Sequence, residues 1–322
     1  MGLLESLPPD MRVQVNQIWA SPRKRAISSA IIIMTVLLSI LGILGYIPTI
    51  PLLPVNDYRL DEGATRSSSW KVKSDFDIVV SHYNEDVGMM KDSINGVLHR
   101  LPRRKSRRVI IYCKGPPNET SLKALSDISD EVVQLENVGR EGETYLSHIV
   151  RHYETPFTNL AGHTIFMQPH LAWHWLFLPR LERDLDQNTG FLSFGPYISH
   201  ICGKDSHDQH NPRMADIYSM FRMDLCPPDS ILGTWAGQFV VSRQRILENP
   251  LRAYENLRNK FHEPKEHWIY KEGWWNNEPS NPTLGHALER SWPMIFNCTD
   301  PTKVETCKEE GPTGLCQCSD KY

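Results

Sequence analysis

The chain has 322 residues, of which 40% are hydrophobic, and its 35 Lys and Arg against 38 Asp and Glu give a net charge of −3. A balance this close to neutral excludes a surface devoted to nucleic acid, which would carry a strong excess of cations. The length provides for one sizeable core, with or without an appended subdomain.

Residues 1–25 read as a short tail. Residues 26–47, from Ala26 to Ile47, carry no charge (AISSAIIIMTVLLSILGILGYI) and would form a helix roughly 30 Å long, enough to cross a bilayer. Arg23, Lys24 and Arg25 precede this run, whereas Asp57, Arg59, Asp61 and Glu62 follow it, so the positive excess keeps the N-terminus in the cytosol. A cleaved signal peptide would have a shorter apolar run of about 7–15 residues and a small-residue cleavage site. Tyr46-Ile47-Pro48 offers no such site, so the expectation is a retained signal anchor. The chain is then a single-pass type II membrane protein of the secretory pathway, in the endoplasmic reticulum or Golgi, with the bilayer as its first partner. All seven cysteines follow residue 47, as do sequons at Asn118 and Asn297, which suits an oxidising, glycosylating lumen.

Residues 48–74 contain Pro48, Pro51 and Pro54 and then a polar stretch, and read as a stem. Folded structure is expected over 75–296. Residues 77–81 (DIVVS) predict a buried strand, and 86–98 have the spacing of an amphipathic helix. Further strands are predicted at 108–113, 131–135, 163–168, 191–194 and 235–241. Helices are predicted around 121–125, 141–153, 243–248, 251–261 and 282–296. The alternation predicts an α/β fold whose central sheet is mainly parallel, with helices on both faces. The basic run 100–108 reads as a solvated loop face, with a phosphate-binding patch as the alternative. Residues 297–322 form a Cys-rich tail in which Cys298, Cys307, Cys316 and Cys318 would make two disulfides, by one of three pairings. Cys113, inside an apolar run, is the expected free thiol.

Ligands of open α/β sheets bind at the carboxyl ends of the strands. The segments leaving those ends here are Tyr83-Asn84-Glu85-Asp86, Lys114-Gly115, the loop from Asn137 to Gly142 with Arg140, and Gln168-Pro169-His170. His174 lies four residues beyond His170, so the two would share a helix face, as zinc ligands can. His286, Glu289 and Arg290 fall on one face of the last long helix. Each of these residues also has a purely structural reading, as a cap, an ion pair or a packed turn.

Five blocks carry a resemblance: Tyr83 to Asp86, Gly139 to Leu146, Phe166 to His174, Trp235 to Phe239, and Gly285 to Trp292. In this order they resemble a family of fungal membrane-anchored proteins defined as domain of unknown function 3431. More loosely, Tyr83-Asn84-Glu85 after the first strand is similar to nucleotide-sugar glycosyltransferases of Rossmann-like fold. The Asp-x-Asp metal segment of those enzymes is missing, because the fourth strand ends in Gln168-Pro169-His170. That resemblance implies a glycosyltransferase-A-like domain that moves a sugar from a nucleotide-sugar donor to a glycan or small-molecule acceptor. Tyr83, Asn84, Glu85 and Asp86 would meet the nucleoside, and Lys114 and Arg140 the diphosphate. His170, His174 or Glu289 would serve as base or acceptor contact, with a divalent cation absent or supplied unconventionally. The alternatives are a lumenal binding or scaffold protein without catalysis, and a metal-dependent hydrolase built on His170 and His174.

Overall fold

The computed structural model describes residues 74–153, 159–205, 208–273, 277–308 and 312–320. The expected tail, the anchor at 26–47 and the stem up to residue 73 lie outside the described residues. Among the described residues no helix is long and apolar enough to cross a membrane.

The first half follows the expected alternation: β1 (Phe76–His82), α1 (Val87–Arg100), β2 (Arg107–Cys113), α2 (Glu119–Ser126), β3 (Glu131–Gln134), α3 (Arg140–His152) and β4 (His163–Met167). All seven residues of β1 are buried, as a central parallel strand covered on both faces requires. Met90, Ile94 and Val97 form the inward stripe of α1. β1 pairs in parallel with β2 on one side and β4 on the other, and β2 pairs in parallel with β3. The chain thus steps outward from β1 to β3, and α3 then carries it back to the far side of β1. Right-handed crossovers put α1 and α2 on one face and α3 on the other. The α3 face is fixed by Ser81 Oγ, 2.9 Å from Thr144 Oγ1, and by Tyr112 Oη, 3.0 Å from His148 Nδ1.

The second half comprises α4 (His174–Asp184), β5 (Thr189–Ser193), β6 (Tyr197–Ile201), β7 (Lys204–Asp205), α5 (Met214–Arg222), β8 (Ile231–Thr234), β9 (Phe239–Ser242), α6 (Arg243–Leu247), α7 (Leu251–Asn259), α8 (Thr283–Ile295), α9 (Lys303–Thr306) and β10 (Gln317–Ser319). β9 inserts antiparallel between β4 and β5, and β10 closes the edge beside β5, giving the order β10-β5-β9-β4-β1-β2-β3. β1 to β5 run one way and β9 and β10 the other, so the sheet is mixed but mostly parallel in direction. A second sheet, β7-β6-β8, was not expected from the sequence. The expected strand at 235–241 begins only at Phe239, because Ala236 is left-handed (φ 56) and turns the preceding residues into a loop.

Trp292 of α8 is fully buried among Tyr145, Phe239 and Phe296, with ring centroids 5.9, 5.0 and 5.9 Å away. The tail cysteines pair as a nest, Cys298–Cys318 around Cys307–Cys316; Cys202–Cys226 is a third disulfide, and Cys113 is a buried free thiol. Arg245 clamps the tail from inside. Its guanidinium donates to the carbonyls of Phe296, Asn297 and Ser319 and lies 3.0 Å from the Asp320 carboxylate. The basic run near residue 105 is local structure: Arg108 forks onto buried Asp77, and Lys105 pairs with Asp75.

Candidate functional site

Loops that leave neighbouring strands in opposite directions open a crevice where the strand order reverses. That point lies between β1 and β4, and an open cleft of about 420 Å³ occupies it. The end of β1 contributes Ser81, His82, Tyr83 and Glu85, and β2 contributes Lys114. The loop before α3 supplies Asn137, with Arg140 and Glu141 following in the helix itself. Gln168, Pro169 and His170 come from the end of β4, and Ser280 closes the lining from the segment before α8.

The β1 loop folds back on itself. One oxygen of Glu85, Oε2, accepts from the amides of Tyr83 (2.8 Å) and Asn84 (3.2 Å). Asp86 caps α1 by accepting from the Met89 amide at 2.8 Å. Asn84 and Asp86 are exposed and absent from the lining, so only Tyr83 and Glu85 of that block reach the cleft. His82 is 5% exposed; its Nε2 lies 3.1 Å from the Glu85 carbonyl, while its Nδ1 has no hydrogen-bond partner among the described residues.

Lys114 departs from expectation. Its side chain is buried, its ammonium lies 2.8 Å from Glu143 Oε2, and it donates to the carbonyls of Val138 and Arg140. Two carbonyls and a carboxylate thus surround the ammonium, and the lysine pins the turn into α3 rather than presenting charge to the cleft. Burial pushes the Glu143 carboxyl up, but the Lys114 ammonium, His262 and Ser147 together overcome it and hold it at about 2. Burial acts on Lys114 in the opposite sense and lowers its pKa. With three acceptors around the ammonium, the pair is ionic at neutral pH. Gly139, in the same turn, has φ 66, and a methyl group there would stand 2.6 Å from Glu143 Cβ and 2.7 Å from Phe261. Only glycine fits that position.

Arg140 follows with φ 53, a left-handed conformation that a non-glycine residue holds only when its surroundings fix it. Its guanidinium is partly buried, with Nη1 3.1 Å from His286 Nδ1 and Nε 3.5 Å from Glu141 Oε2. Arginine can only donate, so His286 faces it as the neutral ring. Burial, then Arg140 and Arg290, push His286 down to about 4. Glu141 Oε1 accepts from Gln168 Nε2 at 3.1 Å, joining the start of α3 to the end of β4.

His170 is exposed and lines the cleft, but His174 does not. The expected shared helix face fails, because the chain turns through left-handed Trp173 (φ 57) and α4 starts only at His174. His174 packs edge-on against Trp175 instead. Among the described residues no three His, Cys, Asp or Glu side chains converge to hold a metal ion. Glu289 is also outside the lining; it accepts from the Ala236 amide at 2.8 Å and lies in the electrostatic range of Glu141. Burial, then Glu141, raise its pKa.

The cleft thus unites Tyr83, Glu85, Lys114, Arg140 and His170 and leaves out Asn84, Asp86, His174 and Glu289. Sequence reasoning did not single out His82, Glu141, Gln168 or Ser280 as site residues. The first three sit in the strand-end segments and could have been weighed there. Ser280 carries no local signal, because it reaches the cleft only through the docking of α8. A family model described as "Protein of unknown function (DUF3431)" matches residues 106–318, more than half of the chain. The match takes in four of the five sequence blocks, and the block from Tyr83 to Asp86 lies before its start. No curated protein matches the chain.

Proposed function

Because the chain belongs to the family defined as protein of unknown function DUF3431, its activity must be read from the cleft, and we propose that it is a membrane-anchored, glycosyltransferase-like enzyme of the secretory pathway. The cleft takes the nucleoside diphosphate of a nucleotide-sugar donor. One observation carries this reading: a polar cleft of about 420 Å³ at the reversal of strand order, with a partly buried arginine at the first turn of a helix. That volume falls in the range of small-molecule sites, about 300–1,000 Å³. A helix N-terminus with a guanidinium beside it favours a diphosphate.

In this reading Arg140 and the amides opening α3 stabilise the leaving diphosphate. Tyr83, 44% exposed, stacks on the base, and Glu85 accepts from a ribose hydroxyl. His170 contacts the acceptor side, where a glycan or small hydroxylated molecule binds. Residues 26–47 anchor the chain as a type II protein in the endoplasmic reticulum or Golgi, and three disulfides support an oxidising lumenal address for the domain. The glycosyltransferase-A-like architecture is supported by β1 to β4 running parallel, with the cleft at their carboxyl ends.

A second reading, a lumenal binding or scaffold protein, is favoured by the engagement of the cations: Lys114 is fully paired, and Arg140 already contacts His286 and Glu141. Calorimetry of the detergent-solubilised full chain against a panel of nucleotide sugars, with and without Mn²⁺, tests the leading reading. Saturable binding to at least one donor is expected, and none to any would remove it. Binding without release of nucleoside diphosphate under any acceptor would favour the scaffold.

A further inference from the structure

Four sequence blocks meet at the inner wall of the cleft. α3 brings Glu141 and Tyr145, β4 ends in Gln168, the loop before β9 brings Ala236 and Gly237, and α8 brings Glu289 and Trp292. Glu141 lines the cleft, and Glu289, behind the lining, is held by the Ala236 amide. Gly237 marks how closely the parts approach. A methyl group there would lie 3.7 Å from Glu141 Oε1 and 3.6 Å from Trp292 Nε1. Tyr145 and Trp292 are 0% exposed, yet the Tyr145 hydroxyl and the Trp292 N–H have no hydrogen-bond partner among the described residues. Glu141 and Glu289 both act electrostatically on that hydroxyl. A buried donor left unpaired costs about 1–3 kcal/mol, so two of them in the wall behind Glu141 are not explained by packing alone.

We propose that Glu141 is the proton acceptor of the cleft and that Glu289 is the second carboxyl, standing behind it in the wall. This rests on the reading of the cleft as a sugar-transfer site, and it names a hydroxyl of a glycan or polyol as the group deprotonated. The acceptor O–H bond breaks as its proton passes to Glu141. The acceptor oxygen forms the new bond to the anomeric carbon. The bond from that carbon to the diphosphate oxygen breaks, and its electron pair leaves with the diphosphate. The charged and titratable groups facing the pair are Arg140 and Tyr145 from α3, and His286 and Arg290 from α8. Arg140 lies 3.5 Å from Glu141, and Arg290 lies 4.0 Å from Glu289. Two cations flank the two acids, and burial, then Glu141, oppose ionisation of Glu289.

The test uses the full chain and its E141Q, E141D and E289Q variants. Calorimetry reads donor binding, release of nucleoside diphosphate reads turnover, and infrared spectroscopy reads carboxyl protonation against pH. E141Q is expected to bind donor within about threefold of the parent and to turn over at least about 100-fold more slowly, the contribution of a positioned base. E141D is expected to recover part of that loss, and E289Q to shift the acid limb of the pH–rate profile. The infrared spectrum of the parent should show a carboxyl still protonated above the usual range of glutamate, absent from E289Q. Parent-like turnover in E141Q, or no such carboxyl in the parent, would overturn the proposal. If no nucleotide binds the parent, the cleft reading fails instead, and the infrared comparison alone still decides whether Glu289 holds a proton.

Discussion

The glycine and arginine that open α3 concentrate the account at the residue scale. Gly139 and Arg140 are consecutive left-handed residues, and the carbonyls of Val138 and Arg140 are both tied to the Lys114 ammonium. Substituting Gly139 with Ala should cost at least about 2 kcal/mol, because an L side chain at positive φ adds strain to a direct overlap with Phe261. Chemical denaturation would measure it. For Arg140 the expected effect is on binding: R140A should weaken nucleotide affinity at least about tenfold, since a charge-assisted contact to an anion contributes about 1.5–3 kcal/mol. R140K should recover only part, lacking the planar fork. Calorimetric affinities equal to the parent's would take Arg140 out of the site.

At the scale of elements, the local code was legible wherever one period dominated. The DIVVS run and the spacing of Met90, Ile94 and Val97 gave β1 and α1 almost to their ends. The helix with Arg140 at its start and the strand ending near Gln168 were equally plain, and with them the side of the sheet on which the cleft opens. The second sheet was not legible. β6, β7 and β8 are 5, 2 and 4 residues long, too short to show alternation. Position 236 misled for another reason, since nothing in Trp-Ala-Gly-Gln announces that Ala236, rather than Gly237, takes the left-handed turn. Lys114 read as a phosphate ligand because its buried partner, Glu143, is far away in sequence and one turn inside α3. Disulfide pairing was likewise open among three choices until β10 returned the tail to β5. The clamp on that tail makes a prediction. R245A leaves the Asp320 carboxylate, 10% exposed, without its partner and should cost about 3–5 kcal/mol. Thermal unfolding with the disulfides intact would show it, and a change under 1 kcal/mol would mean that the cystines alone hold β10.

Across the whole molecule, buried histidines set the response to acid. Burial, then neighbouring arginines, push His148 well below its usual range; burial and His148 push His152 to about 2; burial pushes His200 to about 4. Each folded-state pKa is depressed, so the unfolded chain takes up protons that the native chain refuses. The stability is present in full above about 6.5 and is lost as pH falls from there toward the folded values, at about 1.4 kcal/mol per pH unit for each enclosed ring. His262 has the opposite sign. Its hydrogen bond to Glu143 raises its pKa, so its contribution is present below 6.5 and is lost as pH rises through the raised value. Melting temperature should therefore peak close to neutrality and fall more steeply on the acid side. A profile flat from pH 4.5 to 7 would contradict the buried neutral histidines.

On the proposed reading, one cleft, at the reversal between β1 and β4, receives a nucleoside diphosphate. Hydrogen–deuterium exchange of the full chain, with and without a nucleotide sugar that binds it, tests this by location. Protection should appear together in the peptides spanning 82–85, 137–144 and 168–170. Protection confined to other peptides, with those three unchanged, would contradict it.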